Sequence, residues 1–445
     1  MKRLKNDKIN KTPKILVKET KGITLIALVI TIVVLLILAG VVIATLNGND
    51  NITKNANTAV GKYNEKVNEE QGILDTLEEK LREYTNGGSS NPTTPGEPET
   101  PPTPPTTPTV DSYGLATKNE TIKPSTNNAN DLQIVIPTGF APAILQTGTT
   151  QSLPGQDGSV KQIMPADEWN NITAEQINKG IVVVDHAITY DNGQATGTVP
   201  DFNEFVWIPM PDSSKFVRTA WTIGTETTPQ RLAETSTSSA YWEDKTTTEY
   251  KNMVISVTKN KGFYVARYEA SANSGSSKAQ SKRGATAWGA IPQTDAITKS
   301  ANYNSALHSH LMYGIEWDSI LNWLNGNATI SSSTSGQTKT MEPADLQTNS
   351  CSWGNYPNST GDAATNSGSK QTTGTSEYWK ANNIYDLAGN VWEWTQENVA
   401  KFIIRVTRGG YYYANGGDRN PAADRGGEGA SNTNPGTGFR TSFYL

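Results

Sequence analysis

Residues Ile23 to Leu46 read ITLIALVITIVVLLILAGVVIATL, a run without one charged side chain. A helix of that length spans about 36 Å at 1.5 Å per residue, more than the roughly 30 Å hydrocarbon core of a bilayer. The reading is a transmembrane helix, which ties the rest of the chain to a membrane surface. Eight Lys and Arg side chains precede it, against Asp7 and Glu19, and almost none follows it immediately. Positive-inside bias then leaves the N-terminus in the cytoplasm and everything beyond Leu46 outside. The expectation is a single-pass cell-membrane protein with an extracellular C-terminal domain. A secretory signal peptide would have a shorter apolar region ending in small residues, and the length argues against one.

The net charge of −5 conceals an asymmetry: the first 22 residues carry +6, so the remainder carries −11. An acidic body repels phosphate, so nucleic acid is not an expected partner. One Cys excludes a disulfide framework and any mechanism needing two thiols, and three His leave little material for histidine metal sites. With 38 Gly and 23 Pro the chain suits a loop-rich fold with linkers, while 11 Trp, 17 Tyr and 8 Phe can fill a sizeable core.

Lys21-Gly22-Ile23-Thr24-Leu25-Ile26 resembles the type IV prepilin leader of bacteria. The resemblance implies that a prepilin peptidase cuts between Gly22 and Ile23 and that the helix stays on the mature protein, making 1–22 a basic leader and 23–46 the membrane anchor. Pilins carry a glutamate at the fifth mature position, which helps register subunits in the fibre. Here that position is Ala27, which argues against pilus assembly.

Across 47–85, Val60, Tyr63, Val67, Leu74, Leu77, Leu81 and Tyr84 recur at mostly three- and four-residue steps, interrupted by Glu70. An amphipathic stalk helix follows, either a short coiled coil or a solvated helix with a narrow apolar face. Residues 86–110, rich in Pro and Thr, lack large apolar groups and read as a disordered spacer. As polyproline II at about 3.1 Å per residue it reaches up to roughly 75 Å.

Between 111 and 200, short apolar runs such as Leu132–Pro137 and Gly180–Val184 alternate with turn residues and read as a small β-rich segment, in which His186 makes an ordinary structural hydrogen bond. From 201 to 445 the character changes, and ten of the eleven Trp lie there. Phe205–Pro209 and Gly262–Ser271 read as strands, and Leu311–Leu324 places Ile315, Ile320, Leu321 and Leu324 at helical spacing. Then come Ile384–Thr395 (IYDLAGNVWEWT), Arg408-Gly409-Gly410 and Gly438-Phe439-Arg440. These runs, in this order across about 202–445, resemble the formylglycine-generating-enzyme or sulfatase-modifying-factor family. The resemblance implies an α+β, C-type-lectin-like fold.

Fold does not carry chemistry, so the site residues decide. Members that make formylglycine use two cysteines shortly after the RGG turn, and the matching positions are Ala414 and Arg419. Cys351 lies upstream and reads as a structural thiol. The sulfoxide-synthase branch needs an iron-binding histidine set, which His308 and His310 cannot supply alone. The expectation is a domain without catalytic residues and without a redox cofactor. The family also has a calcium site in the loop around GNVWEW. The resemblance carries it onto Asp386, Gly389, Val391 and Glu393, two side chains and two backbone carbonyls of the hard-oxygen kind that Ca²⁺ favours, as a structural ion.

Between Arg408 and Gly438 the tail contains no Val, Ile, Leu, Met or Phe, so it reads as surface. Tyr, Asn, Asp, Ser, Ala and Gly on a rigid frame is the composition of recognition loops. The stretch is similar to the variable region of ligand-binding proteins diversified by retroelements, which share the lectin-like fold. That resemblance implies ligand contacts at Tyr412, Tyr413, Asn415, Asp418, Asn420, Asp424, Glu428, Asn432 and Asn434, with Arg425 and Arg440 as scaffold. The expected function is surface display of C-terminal loops, within 408–440, that grip an extracellular protein or glycan. The alternatives are an enzyme of the same fold with other chemistry and a minor pilin or pseudopilin.

Overall fold

The computed structural model describes residues 107–124, 131–146, 158–186, 190–191, 194–195, 202–224, 227–232, 241–272, 277–399, 404–417 and 420–445. The chain divides into two units between Pro101 and Pro102. The first unit lies outside the described residues, and with it Gly22, Ile23, the expected membrane helix, the stalk helix and most of the spacer. Among the described residues no helix is long and apolar enough to cross a membrane.

The second unit is organised by an antiparallel seven-stranded sheet. Its principal strands are β1 (Ala141–Leu145), β2 (Val160–Ile163), β3 (Val182–Val184), β4 (Glu204–Pro209), β6 (Gly262–Ala266), β7 (His310–Leu311) and β12 (Thr441–Phe443), with β5 (Tyr241–Trp242) reserved for the second sheet. Their spatial order is β7, β12, β6, β4, β3, β1, β2. Strands β4 and β6 are buried at every position, which explains why FVWIP and GFYVA are continuous apolar runs without alternation. Their side chains divide between two cores: Val206, Ile208, Phe263 and Val265 face one, and Phe205, Trp207, Tyr264 and Ala266 the other.

This pairing corrects the expected boundary at residue 200. Strands β1 to β3 come from the supposed separate segment, yet Val182, Val183 and Val184 pair with Val206, Phe205 and Glu204 of β4. A three-residue strand cannot bury its surface alone, so it completes the larger sheet. The spacer also ends earlier than expected, since Val110 bridges to Ala116 and the Thr109 amide donates to Glu120 at 2.9 Å.

Three helices matter for the site: α1 (Thr248–Asn260), α2 (Gln293–Ala301) and α3 (Gly314–Leu324). Helix α3 agrees with the periodicity of its sequence and buries Ile315, Trp317, Ile320, Leu321 and Leu324. Helices α1 and α2 were not expected. For α1 the signal was present in Tyr250, Met253 and Val257, all buried, with Thr247 capping the Tyr250 amide.

The second sheet runs β10 (Arg425–Gly429), β9 (Ile404–Arg408), β8 (Trp392–Val399), β11 (Thr437–Phe439), with β5 also on β8. Strand β11 is parallel to β8, while β12 belongs to the seven-stranded sheet. Arg440 stands at the step between the two sheets, the last residue of the GFR motif.

Candidate functional site: the C-terminal loop and its buried base

The tail leaves β9 at Arg408 and returns on β10 at Arg425, and these two arginines are direct partners across the strands. Both are buried and enter a network with Arg218 and three carboxylates: Glu243, Asp318 of α3 and Glu397 of β8. Arg425 donates to Asp318 at 2.6 Å and to Glu397 at 2.8 Å. Arg408 reaches the same two carboxylates at 3.3 Å. Arg218 donates to Asp318 at 2.9 Å, lies 3.4 Å from Glu243 and also bonds Glu397. Burial alone would raise Glu397, but Arg218, Arg425 and Arg408 outweigh it and hold its carboxyl at about 2. Burial and the repulsion of Arg425 bring Arg408 down to about 10. Glu243 is pushed up to about 7 by burial, which its contact with Arg218 offsets only in part.

Above this base the backbone turns on Gly409 and Gly410, at φ +90° and +76°. A Cβ on Gly410 would sit 2.2 Å from the Asn420 carbonyl oxygen, so the second glycine of RGG is a steric necessity. Tyr411 stacks on Trp392 at 6.2 Å between ring centroids, and Tyr411, Tyr412 and Tyr413 touch one another edge-on or tilted. Tyr413 is 75% exposed. The turn beyond is tied down: Asn358 Nδ2 donates to Asn415 Oδ1 at 2.6 Å, the Gly416 amide donates to Asn358 Oδ1 at 3.0 Å, and Gly416 rests on the Tyr356 ring.

The structure brings some expected contacts together and removes others. Tyr412, Tyr413, Asn415 and Asn420 are each exposed or half-buried. Tyr411 also approaches Gly436, whose amide donates to Asn434 Oδ1 at 2.8 Å, so Asn434 belongs to the same neighbourhood. Glu428 and Asn432 pair with each other at 2.5 Å on the β10 side. Asp418 lies outside the described residues. Asp424 is a correction: it is buried, with its carboxyl raised to about 6 by burial. The reading of the whole tail as surface is corrected with it, because Pro421 to Arg425 are buried and Ala422 and Ala423 sit in the main core. Trp317 Nε1 donates to the Ala422 carbonyl at 3.2 Å and Ser350 Oγ accepts from the Ala422 amide at 3.0 Å. Small side chains allow this stretch to pass close beneath α3's tryptophan.

The loop expected to bind calcium surrounds Arg440. Both oxygens of Glu393 accept from the Arg440 guanidinium, at 2.6 to 3.2 Å. Asp386 Oδ2 accepts from the Gly374 amide at 2.8 Å, while its Oδ1 is buried without a hydrogen-bond partner. Glu269, which sequence reading missed although it lies in FYVARYE, accepts from the Val391 amide at 3.0 Å and from Asn390 Nδ2 at 2.5 Å. Burial raises Asp386 to about 7, and burial together with Asp386 and Glu393 raises Glu269 well above the ordinary carboxylate range. Among the described residues no group of three or more His, Cys, Asp and Glu is arranged to hold a metal ion. The unpaired Asp386 oxygen fits a hard cation; Glu393 would have to share its carboxylate with Arg440.

Residues 323–443 match the model of the sulfatase-modifying factor enzyme 1-like domain. The C-terminal part of the chain is similar to a domain of that kind. The matched stretch holds the RGG turn, the tail and GFR, and is shorter than the 202–445 suggested by the motifs. Among solved structures, PvdO from Pseudomonas aeruginosa is similar at 13% identity, covering 56% of this chain and 98% of its own, with a TM-score of 0.31. Treponema denticola variable protein 1 is similar at 11% identity, covering 74% of this chain and 99% of its own, with a TM-score of 0.22. No curated protein matches.

Within this domain, Ala414 occupies a half-buried turn and Arg419 lies outside the described residues. Cys351 is buried. His310 is committed on both ring nitrogens, to the His308 carbonyl at 2.8 Å and to Glu316 at 3.1 Å, and His308 stacks on Tyr444. Burial would lower His310, but Glu316 overrides it and lifts the imidazole to about 8. His186 pairs with the adjacent Asp185 at 2.9 Å.

Proposed function

We propose that this chain is a membrane-anchored, surface-displayed binding protein whose ligand, an extracellular protein or glycan, docks on the face formed by Tyr411 to Asn415 with Asn434. The observation that carries the reading is an aromatic cluster with Tyr413 three-quarters exposed, on a turn whose two ends are locked by buried ion pairs. Large rigid side chains presented at low entropy cost suit recognition, and a fixed base preorganises them. Glu428 and Asn432 extend the contact area, and Asp418 continues the loop. The anchor in this reading is Ile23–Leu46, with the N-terminus cytoplasmic, the domain outside and Gly22–Ile23 the bond cut by a prepilin peptidase. The domain acts without catalysis, and retroelement-driven diversification of the tail codons supplies its variety.

The binding test is a screen of the full chain in lipid nanodiscs against arrays of extracellular proteins and glycans. A specific hit should lose about 2 kcal/mol or more of affinity in Tyr413→Ala. Hits that bind Tyr413→Ala and Tyr412→Ala unchanged would overturn this face as the site. A structural calcium ion is part of the same reading, held by Asp386, Glu393 and the carbonyls of Gly389 and Val391. Calcium should raise the melting temperature of the wild type and not of Asp386→Asn; an equal response in both would remove the site.

A further inference from the structure

A cavity of about 270 Å³ lies where β5, the entry to α1, the first turns of α2 and the residue before α3 meet the end of β8 and the start of β9. None of its lining residues belongs to the 408–438 tail. Its aromatic walls are Trp242 and Tyr313, with Ile297, 36% exposed, at the rim. Trp242 is held by the pairing of β5 with Asn398 of β8, and Tyr313 by the bond its hydroxyl donates to Glu249 at 2.6 Å.

The polar lining is oriented by bonds to the protein. Gln293 Nε2 donates to the Thr395 carbonyl at 2.6 Å, and Gln396 Nε2 donates to the Leu311 carbonyl at 2.9 Å and to Glu249 at 3.1 Å. Both amides commit their nitrogens to the fold, so the group each has left to offer is its carbonyl oxygen. Asp244 Oδ1 accepts from the Thr246 amide at 3.0 Å and from its hydroxyl at 2.5 Å, and these bonds, with Lys251 adding to them, hold the carboxyl below its ordinary range, an ionised acceptor. Arg405 bonds Asn398 through Nη1, and its other guanidinium donors are uncommitted among the described residues. The lining thus carries one carboxylate and one guanidinium, without net charge.

We propose that this cavity binds a neutral sugar residue, as a site separate from the tail face. An ion gains little from a lining whose two charges cancel, and an apolar molecule would strip water from Asp244, Arg405 and the two amides without replacing its hydrogen bonds. A sugar ring answers both features. Its C–H faces lie against Trp242 and Tyr313, while its hydroxyls, each able to donate and to accept, donate to Asp244, Gln293 and Gln396 and accept from Arg405. The volume sits just below the range of about 300–1,000 Å³ that drug-sized ligands fill, which suits one ring and keeps a longer chain outside the cavity.

Saturation-transfer NMR on the full chain in lipid nanodiscs, with empty nanodiscs as the blank, tests this with glucose, galactose, mannose and N-acetylglucosamine, each as the free sugar and as its methyl glycoside. Cyclohexanol serves as the ring without a polyol rim. Saturable binding of at least one sugar is expected in the low-millimolar range, at least about tenfold tighter than cyclohexanol. A preference for the methyl glycoside assigns the site to the ends of glycan chains, and a preference for the free sugar assigns it to monosaccharides. Asp244→Ala and Arg405→Met should each weaken binding by about tenfold, the loss of one hydrogen bond to a charged group. Ile297→Trp, at the rim, should block entry, whereas Tyr413→Ala should change nothing, which separates this site from the tail face. No saturable binding of any sugar, equal affinity for cyclohexanol, undiminished binding in both Asp244→Ala and Arg405→Met, or loss of binding in Tyr413→Ala would each overturn the proposal.

Discussion

The two halves of the loop between β9 and β10 are alike in lacking any large aliphatic residue and have opposite fates. Tyr411 to Asn415 face solvent or are half-buried, held mainly by one another and by Asn358. Pro421 to Arg425 are buried, with Ala422 and Ala423 in the main core and Arg425 bonded to Asp318 and Glu397. Neither half contains a large aliphatic residue, so hydropathy does not separate them. The difference is in what waits on the other side: small side chains fit under Trp317 and an arginine finds two carboxylates, while the tyrosines meet one another and Tyr411 stacks on Trp392. The loop is tied down at its root by buried ion pairs and exposed at its apex.

That contrast can be broken most severely at the root. Glu397→Ala strips a carboxylate from three buried guanidiniums and should cost about 3–5 kcal/mol, read as a fall in denaturation midpoint. A loss below about 1 kcal/mol would mean that water reaches the network and the root is not rigid. A pH effect of intermediate size belongs to the frame around it. Because the His310 imidazole is raised to about 8 from 6.5, its pairing with Glu316 contributes stability that is fully present below pH 6.5 and fades as pH rises through 8. The buried pair is worth about 2 kcal/mol over that window, and His310→Gln should flatten that part of the stability profile. The smallest effect is expected at the apex: Tyr413→Ala should change stability by no more than about 0.5 kcal/mol, since the ring is mostly in water. A larger loss would make the tyrosine cluster a packing element of the fold rather than a presented surface.

Much of the frame was legible along the chain. The apolar runs at 205–209 and 262–266 became central strands, the 3.6-residue stripe at 314–324 became α3, and RGG and GFR mark the steps where the tail joins the two sheets. Helix α1 was missed because its apolar stripe is only Tyr250, Met253 and Val257 wide among polar neighbours. Glu269 was missed because nothing in FYVARYE distinguishes an acid that caps the Val391 amide from one in solvent. The expected contact at Asp424 failed for the same reason, as did the boundary at residue 200, which the β3 to β4 pairing runs across.

Local order was written in residue type and spacing: periodicity, continuous apolar runs, and glycines where φ must be positive. Those properties depend on near neighbours, which the chain lists in order. Which charge meets which was settled only by tertiary contact, as with Arg218 and Glu397, 179 positions apart, or Arg425 and Asp318, 107 apart. An arginine carries no sign of its partner until the chain has folded. Burial of unpaired charge costs so much that the fold, once formed, has to place those partners together.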